Sequence, residues 1–109
     1  MDKAERKDLW DYLDASDVLE IVDVLAGNIP QPSVATAAHV KWEEGYAEAL
    51  DDIRHAATLD DAGGFRLVST REHFEHWNGA VASTARDRGY CNAIEDMLNS
   101  ISKLTADRY

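Results

Sequence analysis

The chain has 109 residues, 45% of them apolar, enough for one compact domain and too few for two. Its 21 acidic and 11 basic side chains give a formal net charge of -10, a field that repels nucleic acid and attracts basic protein surfaces. No apolar run approaches a membrane span, the start MDKAERKDLWDYLD is charged where a signal peptide would be apolar, and the single Cys91 has no disulfide or metal-binding mate, so a soluble protein of a reducing cytoplasm is expected.

Taken in order, the pattern predicts short helices over residues 3–13 and 17–26, together an acidic helical hairpin within residues 1–29. Ser16 is the expected N-cap of the second, where Val18, Ile21, Val22 and Leu25 share one face and Asp17, Glu20 and Asp23 take the other. The first has a narrower apolar side of Leu9, Trp10 and Leu13. Acids recur at every third position through Asp2, Glu5, Asp8, Asp11, Asp14, Asp17, Glu20 and Asp23. On a helix each such step turns back by about 60° and rises about 4.5 Å, so the carboxylates trace a winding ridge that can stand in for a phosphate backbone. A plain solvated face produces the same pattern.

Pro30 and Pro32 then stop the chain, and residues 33–109 are expected to hold the core helices. Ser33 is placed to cap a long central helix over residues 34–57. Ala35, Ala38, His39, Trp42, Gly45, Tyr46, Ala49, Leu50, Ile53 and Ala56 fall on one side of it, and Glu43, Glu44, Glu48, Asp51 and Arg54 outside. The small residues of that side permit close approach of another helix. After the break at Gly63 and Gly64, Ser69 and Glu72 have capping-box spacing and begin a helix with the stripe Phe74, Trp77, Val81 and Ala85. The last stripe, Tyr90, Ile94, Met97, Leu98, Ile101 and Leu104, points to nearly the opposite side if the helix is continuous. A turn at Gly89 reconciles the two; the alternative is a rod over residues 70–104, with a partner chain covering its second face. The fold expected is therefore all-α, a compact bundle of four to five helices around the central one, with Trp42, Tyr46, Leu50, Ile53, Trp77, Val81, Ile94, Met97, Leu98 and Ile101 in its core.

One segment is written twice. EEGYAEALDDI at residues 43–53 and DRGYCNAIEDM at residues 87–97 share Gly45/Gly89, Tyr46/Tyr90, Ala49/Ala93 and Asp52/Asp96 at a spacing of 44. Duplication of a helical unit and two helices meeting one packing requirement both account for it.

Motifs for chemistry are sparse. EHFEHW sets His73 and His76 three apart beside Glu72, and His39 is a conceivable third ligand, but the spacing is not HExxH and a solvent-facing pair is expected. Cys91 has Arg86 and Arg88 near it in sequence yet no base, so it reads as a core residue. The segment AGGF lacks the lysine of a phosphate loop. No cofactor and no catalytic residue is expected.

ARDRGYCNAIEDML, residues 85–98, resembles an R-G-[YW]-C segment that recurs in small acidic helical accessory proteins of bacteriophages. This sequence departs from the pattern after the cysteine, where Asn92, Ala93 and Ile94 replace an acidic and an aromatic residue. The resemblance implies a phage protein acting in the cytoplasm of a bacterial host, some of which disarm host defence enzymes. Charge and resemblance together point to a non-enzymatic module that binds and inhibits a basic surface of a host nucleic-acid-processing or defence protein, as a DNA mimic. The residues expected to carry it are Asp8, Asp11, Asp14, Asp17, Glu20 and Asp23, with Glu44, Glu48 and Asp51 as a second patch. The alternatives are a structural or assembly protein that associates as a homodimer and, further off, a metal-dependent activity at the histidines.

Overall fold

The computed structural model describes residues 13–29, 36–63, 67–77 and 82–108. They form four helices and, among the described residues, no strand: α1 (Ala15–Gly27), α2 (Ala37–Gly63), α3 (Val68–Trp77) and α4 (Ala85–Arg108). The all-α bundle expected from the periodicity is what the chain forms. Of the expected helix over residues 3–13, all but Leu13, which is not helical, lies outside the described residues, as do Ser33 and Val81.

Each helix begins for an identifiable reason. At α1 the cap is Asp14, not Ser16: its carboxylate accepts from Asp17 N at 3.0 Å while Asp17 Oδ2 accepts from Asp14 N at 3.0 Å. This is a capping box with aspartate at both places. Thr36 Oγ1 receives His39 N (3.1 Å) at the start of α2, which runs six residues further than expected, to Gly63. α3 draws its cap from another helix. Asp60 of α2 accepts from Ser69 N (2.9 Å), Thr70 N (2.9 Å) and Thr70 Oγ1 (2.7 Å), so Ser69 is a recipient of capping and not the cap itself. Thr84 Oγ1 takes Asp87 N (3.1 Å) at α4.

The most extensive contact is between α2 and α4, and they run in the same direction. Ala85 and Arg88, at the start of α4, share a hollow with Ala38, His39 and Trp42, at the start of α2. Near the other end of α4, Ser100 and Leu104 border α1, which the Arg54–Asp23 ion pair (2.9 Å) ties to the second half of α2. α3 carries the chain back between them, pinned at its start by Asp60 and stacking Trp77 near its end on Tyr90, ring centroids 4.2 Å apart. Parallel neighbours in an all-α chain require such a return segment.

Gly89 does not make the expected turn, and the continuous rod is absent as well: α3 ends at Trp77 and α4 starts at Ala85, so Gly89 lies buried inside α4. A Cβ on Gly89 would stand inside the van der Waals radius of the Trp42 carbonyl oxygen, and a Cβ on Gly45 would do the same to the Arg86 carbonyl. The two backbones touch, which only glycine permits. Adding 44 to one contact gives the other, since 42 + 44 is 86 and 45 + 44 is 89. The same holds across the helices for Tyr46 Oη, which donates to Asp96 Oδ2 at 2.6 Å, and Tyr90 Oη, 2.6 Å from Asp52 Oδ2. The repeated segment therefore pairs with itself about an approximate two-fold axis along the α2–α4 pair.

Between these crossings the core closes over Ala49, Leu50, Ile53, Ala57, Ala93, Ile94, Met97 and Ile101, with Val18 and Val22 of α1 and Phe74 of α3 completing it. Full burial of each larger side chain stabilises by about 1.5 to 3 kcal/mol. Trp42, Trp77 and Leu98, expected inside, are half-buried at its margin. The Val18 and Val22 side chains have no exposure, so α1 belongs to this same core.

Candidate functional site

The duplicated tyrosines differ in one respect. Tyr46 Oη meets Asp96; Tyr90 Oη meets Asp52 and also lies 2.8 Å from His73 Nε2. One phenolic proton serves one acceptor, so donation to Asp52 makes Tyr90 the acceptor of an Nε2–H from His73, giving the chain His73 to Tyr90 to Asp52. Burial, the hydrogen bond to the aspartate and the aspartate's charge all push both tyrosine pKa values well above the ordinary range. Burial holds the His73 imidazole below its ordinary value against the opposing pull of Asp52, and His76 adds to the lowering. His73 is thus part of a packed network, which corrects the expectation of a solvent-facing histidine pair; His76 alone is exposed, its ring edge-on to Trp77.

Asp52 and His73 of this network also line an open cleft of about 520 Å³ between α2 and α3, together with His55, Ala56, Leu59, Ser69 and Glu72. His39 sits elsewhere, at the start of α2, stacked on Trp42 at 5.5 Å and 3.7 Å from Glu43 Oε2. Among the described residues no three His, Cys, Asp or Glu side chains gather to hold a metal ion. Cys91 is half-buried, and burial followed by the charges of Asp87 and Glu95 raises its pKa, the opposite of what a thiolate nucleophile needs. The cleft lining offers proton donors and acceptors.

The acidic residues expected to face a partner are divided among several tasks. Asp8 and Asp11 lie outside the described residues. Asp14 and Asp17 cap α1, Asp23 is paired with Arg54, and Arg54 Nη1 is also 3.9 Å from Asp51. Glu44 lies 3.5 Å from Lys41 Nζ, and Glu48 receives Arg86 through Nε (2.9 Å) and Nη2. Glu20 is exposed without an ion pair among the described residues. Ridge and second patch are thus joined through Arg54, which bridges Asp23 to Asp51. No such link is visible in the sequence, where Arg54 lies 31 residues from Asp23.

The sequence held no local sign of the Tyr–Asp crossings beyond the repeat itself. Asp52 and Asp96 sit six residues after their tyrosines and on the other helix's side, so their pairing is legible only once the two copies are set face to face. No family model matches the chain, and no curated protein or solved structure matches it significantly. Among the described residues, no helix is long and apolar enough to cross a membrane.

Proposed function

We propose that this chain is a non-enzymatic binding module that engages, and inhibits, a basic surface of a host nucleic-acid-processing or defence protein. The observation that carries it is electrostatic. Lys41, Arg54, Arg71 and Arg86 are each already paired with a carboxylate of the chain itself, so the surplus presented outward from a net charge of -10 is negative. Such a field steers a basic partner into encounter and repels nucleic acid, with which the chain would compete for the same surface. The segment that resembles phage accessory proteins supports the setting, a bacterial host cell. In this chain its Arg86, Gly89 and Tyr90 build the helix crossing, so the resemblance bears on packing more than on a binding surface.

The test is capture from bacterial lysate by the wild type beside a variant carrying Glu20→Gln, Asp23→Asn, Glu44→Gln and Asp51→Asn, with Asp14 and Asp17 left to cap α1. We expect one basic protein to be retained by the wild type, released by moderate salt or by added duplex DNA, and lost by the variant. Equal retention by both, undiminished at high salt, would overturn the charge argument. Exposed Val24, Val40, Leu59 and Val68 favour self-association as the second reading. A mass by light scattering that stays that of one chain at all concentrations removes it.

A further inference from the structure

We infer that the groove between α1 and α4 receives a basic amphipathic helix of the partner, an assignment that rests on the acidic-module reading and localises it. The groove, about 260 Å³, is lined by Asp17, Glu20, Ile21, Val24, Ser100 and Leu104. α1 has two apolar flanks. Ala15, Val18 and Val22 face the core, while Ile21 and Val24 form the wall of the groove, Val24 being 56% exposed. At 100° per residue Val24 falls between Glu20 and Asp17 on the helix surface, so apolar and acidic groups interleave along one wall.

The charge of the occupant follows from the lining of the groove, whose two charged side chains, Asp17 and Glu20, are both acidic. No lysine or arginine occurs between Lys7 and Lys41, so α1 contains none. Its last turn has no basic residue to offset the negative end of the helix dipole, and Asp23 adds to the same sign. An apolar ridge of leucine-like residues at three- and four-residue spacing can settle on Ile21, Val24 and Leu104, while flanking lysines or arginines lay their stems over Val24 and reach the carboxylates of Glu20 and Asp17. A second copy of this chain is a poor occupant: a two-fold contact here would set Asp17 and Glu20 against their own equivalents. Nucleic acid is excluded by the same sign of charge.

The probe is a fluorescently labelled synthetic helix of leucines at three- and four-residue spacing with lysines elsewhere, beside a control peptide of equal charge with serine in place of leucine. Anisotropy should show saturable binding of the leucine peptide and much weaker binding of the control. Val24→Ser, at an exposed position, should weaken the leucine peptide by about tenfold. Glu20→Gln should weaken it and flatten its salt dependence, whereas Glu72→Gln, the same charge change on α3, should leave it unaltered. Amide shifts on titration should move along α1 and the end of α4. Equal binding of both peptides, or indifference to Val24→Ser, overturns the groove and leaves the acidic module standing. Failure of the wild type to bind either peptide overturns both, and a dimer that Val24→Ser dissociates assigns the groove to self-association.

Discussion

Gly45 and Gly89 show how a residue's meaning depends on what stands across from it. Alanine in a helix interior is favoured over glycine by about 1 kcal/mol, but here the new methyl group would meet a backbone carbonyl that has nowhere to go, and overpacking of that kind costs about 1 to 3 kcal/mol. Gly45→Ala and Gly89→Ala should therefore each lower the urea midpoint. Gly27→Ala, with open space around it, should not. Tyr46→Phe and Tyr90→Phe test the crossings in the same way. Each removes one hydrogen bond to an aspartate, worth about 1 kcal/mol, and only the second also deprives His73 of its partner. His73 titrates at about 6.5 when unfolded and lower when folded, so the unfolded chain takes up the proton first. Its contribution is complete above that pH and declines as pH falls through the lower folded value. Unfolding curves across this interval should slope for the wild type and flatten for His73→Gln.

α3 depends on a single side chain of its neighbour. Asp60 is 3% exposed; burial alone would raise its pKa, yet the hydrogen bonds from Thr70 and Ser69 outweigh burial and bring it below the ordinary value. Its stabilisation is present above about pH 3.9 and is lost as pH falls through the folded value. Asp60→Ala should cost about 1 to 3 kcal/mol and expose the amides of α3 to hydrogen exchange while those of α2 and α4 stay protected. Nothing local in LDDAG marks the first of its two aspartates as buried, because the cause lies nine and ten residues on, in a helix folded back over it. The apolar period of α1 and α2 was legible for the converse reason: it is set by the core each helix faces. Gly89 was misleading because glycine serves equally to end a helix and to let one approach another, and only the register of 44 distinguishes the two uses.

Taken whole, the bundle rests on its central pair. Leu50→Ala, at a side chain 2% exposed, should cost about 2 to 5 kcal/mol and shift the unfolding of all four helices together, read by circular dichroism and near-ultraviolet signal in one transition. The class of fold followed from helical periodicity, and the expected core was met at Tyr46, Leu50, Ile53, Ile94, Met97 and Ile101. The acidic ridge was legible as a run of charges, but its division into caps, ion pairs and the exposed Glu20 was not, since pairing depends on which helices become neighbours. The two-fold pairing of α2 with α4 has one more consequence, for assembly. Each helix carries glycine, tyrosine and aspartate in the same order, so α2 of one chain is shaped to receive α2 of another as well as its own α4. What selects the correct mate is tethering, which holds α4 near α2 at an effective concentration of roughly millimolar order for short connections. Refolding should be clean in dilute solution and give mismatched, intertwined chains as concentration rises toward that value.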